Sequence, residues 1–100
     1  MVKRPTPFAT KRAGDSLGAN LAAWRRLLGL PASVIAEHAG ISVSTLSRLE
    51  NGDTGVGLAT FLNVANALGI RDAVVQATDP FETDLGRARA ELALPKLVRR

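Results

Sequence analysis

The first third of the chain carries apolar residues at a helical spacing. They fall at intervals of four, three and four residues, at Leu17, Leu21, Trp24 and Leu28. This spacing places them on one face of an amphipathic helix. Asp15 and Ser16 are typical N-cap residues before this stretch, and Gly29 is suited to end it. We therefore predict a first helix between Asp15 and Gly29, with Trp24 in the core.

Two short helices joined by a tight turn are predicted next. Pro31–Ala39 begins with a proline, which fits the first turn of a helix because its missing N–H needs no partner there. A glycine then ends this helix, and Ser42 provides an N-cap for a second one, Val43–Glu50, before the breaking pair Asn51-Gly52. Two helices with so short a connection, often containing glycine, cross steeply, as in a helix-turn-helix.

The two faces of this helix pair have different compositions. Four apolar residues would pack beneath the turn: Ile35, Ile41, Leu46 and Leu49. Ala36 lies where the helices would approach most closely. The opposite face of the second helix presents Val43, Ser44, Ser47 and Arg48. Small polar residues with one long cation are what a helix needs to enter the major groove of DNA.

The remaining chain predicts two further helices and a tail. Leu58–Leu68 has an apolar face and ends at a glycine, and Arg71–Ala77 suits a short fifth helix that exposes valines. Beyond the Asp79-Pro80 break, Thr83–Leu92 is compatible with a helix and Leu92–Val98 with an extended edge segment. We expect a helix-turn-helix domain over residues 15–78 and a tail over 79–100 that contacts a second copy or another partner.

The N-terminal segment Met1–Gly14 lacks periodicity and contains two prolines and two basic pairs, so it is predicted to be a disordered basic arm. Its four cations are Lys3, Arg4, Lys11 and Arg12. The net charge of +4 is mild, but its concentration at the chain ends favours contact with a polyanion. The alternative is that these ends only increase solubility.

The amino-acid composition further limits the possible fold and the possible classes of function. Hydrophobic residues make up 46% of the chain and aromatic residues only 4%, so aliphatic side chains and alanine must fill an all-α core. The absence of cysteine excludes disulfides and thiolate metal sites. No apolar run reaches a membrane span, and we expect a cytoplasmic protein. His38 is the single histidine and has no candidate catalytic or metal-binding partners near it in sequence, so we predict no enzyme activity, no metal and no cofactor.

The segment from Leu17 to Ile70 resembles the lambda-repressor-like DNA-binding domains of the Cro and xenobiotic-response-element type. The resemblance is carried by Gly29-Leu30, Ile35-Ala36-Glu37, Ala39-Gly40-Ile41-Ser42, Ser44-Thr45-Leu46-Ser47-Arg48-Leu49-Glu50, Asn51-Gly52 and the stretch from Leu58 that ends in Ala-Leu-Gly-Ile. It implies a five-helix all-α domain in which Val43–Glu50 is the recognition helix. It also implies a partly buried ion pair between Arg25 and Glu50.

The resemblance assigns candidate DNA contacts. Val43 would pack on a thymine methyl, Ser44 would hydrogen-bond a base edge, and Arg48 would bind guanine O6 and N7 or, alternatively, a phosphate. Ser33 and Asn51 match phosphate-contacting positions. The candidate DNA-binding residues are therefore Ser33, Ser42, Val43, Ser44, Thr45, Ser47, Arg48 and Asn51, with Lys11 and Arg12 of the arm.

Two departures from the family pattern weaken the expected phosphate contacts. Ala32 stands where relatives often carry a glutamine, and Asp53 follows Asn51-Gly52 where relatives tend to carry basic residues. We therefore expect the basic arm to supply part of the missing charge.

Three functions remain open from the sequence. The first is a homodimeric repressor or autoregulator of a partly palindromic operator, with its dimer contact at Val74, Val75 and the tail. The second is an antitoxin of the HipB-like type, which binds a HipA-type kinase toxin and represses its own operon, because the tail loosely resembles those of such regulators. The third is an adaptor whose helix-turn-helix no longer binds DNA.

Overall fold

The computed structural model describes residues 4–93, and over that range the fold is all-α with no strand. The helices are α1 (Phe8–Leu27), α2 (Ala32–Ala39), α3 (Val43–Glu50), α4 (Leu58–Leu68), α5 (Arg71–Ala77) and α6 (Asp84–Ala93), with a 3-10 segment at Pro80–Glu82 between α5 and α6. The predicted all-α class and the order of the first five helices are confirmed. The part of the predicted extended segment beyond Ala93 lies outside the described residues.

The first helix begins well before the predicted start. α1 starts at Phe8, so the prediction of disorder is wrong for Phe8–Gly14, and Asp15 and Ser16 lie within the helix instead of capping it. Pro7 precedes the helix with φ −59° and its carbonyl accepts the first intrahelical bond, from the Lys11 N–H at 3.1 Å. Alanine, lysine and arginine are good helix formers. The apolar stripe is missing here because this part of α1 extends past the core.

Local signals set the ends of the two motif helices. The N–H of Thr45 donates to the Ser42 side chain at 3.0 Å, which satisfies one of the free donors of the first turn of α3. α2 ends at Gly40, whose φ of +71° is the left-handed conformation that glycine adopts without a Cβ penalty. Both features agree with the predicted helix ends, and α2 starts one residue after Pro31.

The core lies where α2, α3 and α4 meet the middle of α1. Its buried cluster consists of Leu21, Ile35, Ala36, Ala39, Leu46, Leu49, Val64 and Leu68. The predicted burial of the motif's apolar residues is confirmed, with Ile41 partly buried against the cluster. The predicted burial of Trp24 is wrong, since it is 43% exposed. No helix among the described residues is long and apolar enough to cross a membrane.

The close approach of α1 to α3 explains why the face buried on α1 differs from the predicted stripe. A Cβ on Gly18 would lie 2.6 Å from the Glu50 carbonyl oxygen and closer still to that of Leu49. The two backbones therefore nearly touch. Gly18, Leu21 and Ala22 form the buried side of α1, whereas larger side chains such as Trp24 are displaced to its flanks.

Gly18→Ala should therefore destabilise the fold. The added methyl group would collide with backbone carbonyls at the end of α3, an overpacking that costs about 1–3 kcal/mol, despite alanine's better helix propensity. Urea unfolding followed by far-UV circular dichroism measures the change in free energy of unfolding.

Gly57→Ala is the matched control. Gly57 has φ −69° and no atom within 4 Å of the added Cβ, so no overpacking arises there. Glycine is the better N-cap residue, but alanine restricts the unfolded chain, and these opposing effects should leave a net change of no more than about 0.5 kcal/mol. Equal effects of the two substitutions would contradict the close packing of α1 on α3.

Candidate nucleic-acid interface

The exposed side of α3 brings five of the candidate residues together. The five exposed residues are Val43, Ser44, Ser47, Arg48 and Asn51. Successive members are one, three, one and three residues apart, which places them along one side of the helix. The Asn51 Nδ2 donates to the Ser47 Oγ at 3.3 Å. This surface combines one apolar contact, short polar groups and one long cation, which are the group types that can match base edges in a major groove.

Two other candidates have a structural role in the helix start. The Ser42 Oγ accepts from the Thr45 backbone and donates to the Thr45 Oγ1 at 2.9 Å. The Thr45 side chain is also partly buried. These hydroxyls therefore stabilise the first turn of α3.

Arg48 forms an ion pair that sequence reasoning missed. Its Nε donates to the Asp53 Oδ2 at 2.7 Å, while the Gly55 N–H donates to the other carboxylate oxygen at 2.8 Å. The hydrogen bond from Arg48, with that from Gly55, holds the pKa of Asp53 below its usual value. The spacing Asp53-x-Gly55 is the available signal, since an aspartate often bonds to the backbone two residues on in a turn. The sequence contains no comparable signal for the arginine partner.

A second ion pair joins α1 to the end of α3, as the resemblance implied. The guanidinium of Arg25 donates to both carboxylate oxygens of Glu50, from Nε at 2.8 Å and from Nη2 at 3.0 Å. The side chains are only 15% and 13% exposed. Arg25 Nη1 also donates to the Leu30 carbonyl oxygen at 3.3 Å. The hydrogen bond with Glu50 raises the pKa of Arg25 above its ordinary value, so Arg25 is charged throughout the neutral range.

The N-terminal half of α1 lies beside the loop that follows α3. A Cβ on Gly14 would lie 2.7 Å from the Thr54 Cγ2 and 3.0 Å from the Gly52 carbonyl oxygen. Lys11 and Arg12 are exposed three and two residues earlier on the same helix. The Arg12 guanidinium lies 5.8 Å from the centre of the Phe8 ring. These two cations are therefore carried on a helix fixed against the loop rather than on a flexible arm.

Ser33 is separate from these groups, on the exposed side of α2 near its start. His38 is also exposed on α2. Within residues 4–93 no group of three histidine, cysteine, aspartate or glutamate side chains is arranged to hold a metal ion.

The charge on the motif is low. From Pro31 to Gly57 the single lysine or arginine is Arg48, against the acidic residues Glu37, Glu50 and Asp53. Arg48 and Glu50 are each paired, with Asp53 and Arg25 respectively. The surface of the motif therefore offers little positive charge for DNA phosphates.

The chain was compared with known protein families. A family model described as a helix-turn-helix domain matches residues 16–77, a range that extends from within α1 to the end of α5. Comparisons with curated proteins and with solved structures gave no match.

Removing the charge of Glu50 should weaken the attachment of α1 to α3. Glu50→Gln would leave the mostly buried Arg25 guanidinium without its counter-charge, which should lower the free energy of unfolding by about 1–3 kcal/mol. Asp72→Asn is the control, because Asp72 pairs with Arg71 at 3.2 Å on an open surface and exposed pairs contribute at most about 1 kcal/mol. Both values come from urea unfolding; a Glu50 effect no larger than the Asp72 effect would show that the pair does not secure α1.

Proposed function

Because this chain belongs to the helix-turn-helix domain family, we propose that it is a sequence-specific regulator of transcription that reads double-stranded DNA as a homodimer. The observation that carries this proposal is the exposed side of α3, where Val43, Ser44 and Arg48 lie together on a helix held by the core. In this proposal Val43 contacts a thymine methyl, Ser44 a base edge and Arg48 a guanine.

The lambda-repressor-like subtype is part of the proposal. It is supported by the bidentate Arg25–Glu50 pair, which the resemblance implied and which is present with distances of 2.8 and 3.0 Å. The arrangement fixes the C-terminal end of α3 to α1. A recognition helix attached in this way enters the groove as a rigid body together with the rest of the domain.

Phosphate contacts are assigned mainly to groups outside the motif. Ser33 and Asn51 supply polar contacts that set the register without adding charge. Lys11 and Arg12 supply positive charge from the N-terminal half of α1, whose packing against Gly52 and Thr54 places it next to the end of the recognition helix. In this proposal both cations contact phosphate from a helix and not from a flexible arm.

Dimerisation is assigned to the C-terminal part of the chain. A recognition helix spans only a few base pairs, so two copies about one helical turn apart are needed for useful specificity. Val75 is exposed on α5, and Leu85 and Leu92 are exposed on α6, at 68% and 84%. Leu85 and Leu92 are seven residues apart and therefore lie on the same side of α6, where they could pack against a second protein surface.

The same exposed residues support a second candidate function. An antitoxin that neutralises a HipA-type kinase toxin while repressing its own operon would use α6 to contact the toxin and α3 to contact DNA. Co-purification of a kinase-like protein with this chain from its native host favours the antitoxin, whereas a dimer recovered alone favours the repressor.

Selection from a random pool of DNA duplexes tests the main proposal. The wild-type protein should enrich a partly palindromic consensus at fixed salt. Arg48→Ala should lose about 1–3 kcal/mol of discrimination at one position in each half-site, because the bidentate guanine contact is removed. Failure of the wild type to enrich any sequence at low salt would contradict the proposal, and a uniform loss of affinity in the Arg48 variant would reassign that residue to phosphate.

Single charge removals test the role of α1. Lys11→Gln and Arg12→Gln should each weaken binding to all duplexes and reduce the slope of log affinity against log salt by about 0.9, the value expected when one phosphate contact is removed. Arg26→Gln is the matched control, since it removes one cation from the other end of the same helix. If all three substitutions give the same slope, these cations contribute only through net charge.

A further inference from the structure

The loop after α3 closes onto the recognition helix through one carboxylate. Asp53 receives the Arg48 Nε on one oxygen at 2.7 Å and the Gly55 N–H on the other at 2.8 Å. Its own N–H donates to the Arg48 carbonyl oxygen at 3.0 Å. The carboxylate is therefore fixed by backbone on the loop side and holds Arg48 from that position.

The ion pair with Asp53 leaves the two terminal amino groups of Arg48 available for another partner. The pair uses Nε alone, and within residues 4–93 neither terminal amino group of Arg48 makes a hydrogen bond. Two adjacent N–H groups on a planar guanidinium match two acceptors at once. Guanine O6 and N7 form one such pair of acceptors, and two oxygens of a phosphate form another.

The carboxylate distinguishes these two targets by charge. A phosphate that approached the guanidinium would also approach the negative charge of Asp53, whereas the guanine edge carries no net charge. A repulsive element placed against the wrong target is a general source of specificity. Resting on the proposed function, we infer that Asp53 is a specificity-determining residue that positions Arg48 for guanine and disfavours its use as a phosphate contact.

The role that must be distinguished from this is a purely structural one. An aspartate that bonds to the backbone two residues on stabilises a turn whatever its neighbours do. In that case its loss would lower stability or affinity without altering which bases are preferred. The test therefore measures base discrimination, which turn stability alone does not change.

The experiment compares Asp53→Asn with wild type on the selected consensus duplex and on an unrelated duplex, over a series of salt concentrations. Loss of the carboxylate charge frees Arg48 to bind a phosphate, so binding to the unrelated duplex should strengthen and its salt slope should steepen by about 0.9. The ratio of the two affinities should fall by about tenfold, within the discrimination of one bidentate pair. Asp72→Asn, which removes the same charge from an exposed pair on α5, should leave that ratio unchanged.

Two further variants test whether Asp53 acts by positioning Arg48 and not through its charge alone or through an effect on folding. In an Arg48→Ala background, Asp53→Asn should no longer alter the ratio, because the residue acts through Arg48. Gly55→Ala keeps every charge but places a Cβ 3.1 Å from the Asp53 Oδ1 and 4.0 Å from the Arg48 Nη2, so it should reduce the ratio in the same direction by a smaller factor. Far-UV circular dichroism establishes that each variant is folded.

The outcomes are distinct. A ratio that stays at the wild-type value in Asp53→Asn, or that changes equally with and without Arg48, overturns the role of Asp53 while leaving DNA recognition intact. A wild-type protein with equal affinity for every duplex overturns the proposed function, and this inference with it.

Discussion

The approach of α1 to the end of α3 is the constraint on which the rest of the structure depends. Gly18 allows the α1 backbone to lie against the carbonyls of Leu49 and Glu50. Once the helices are this close, the Arg25 guanidinium reaches both oxygens of Glu50 in a largely water-excluded position. A charge-assisted bidentate bond of this kind is directional, so α3 is held both in position and in rotation about its own axis.

This attachment also fixes the two elements that flank the exposed side of α3. The N-terminal half of α1 precedes Gly18 in sequence, and at Gly14 it lies against Gly52 and Thr54 of the loop. The loop in turn returns to α3 through Asp53 and Arg48. The N-terminal half of α1, the loop and the exposed side of α3 are therefore connected by direct contacts.

The helices could be predicted where their ends are determined locally. Ser42 caps α3 and Gly40 ends α2, and each works through atoms within one turn of itself. The start of α1 could not be found in this way, because residues 8–13 are exposed and carry no apolar stripe, and the contact with the distant loop begins only at Gly14. The Arg48–Asp53 pair was missed for a related reason. Its formation depends on how the loop closes, which neither residue specifies alone.

Under the proposed function, the distribution of charge separates the groups that give specificity from those that give affinity. The recognition surface carries one cation, and that cation is paired with Asp53, so attraction to phosphate from the motif itself is weak. Positive charge lies instead on α1, at Lys11 and Arg12. Contacts to phosphate strengthen binding to every sequence equally, whereas contacts to base edges separate one sequence from another. Under the proposed function, placing the two kinds of contact on different helices would allow base discrimination to change at α3 with little effect on the sequence-independent attraction expected from α1.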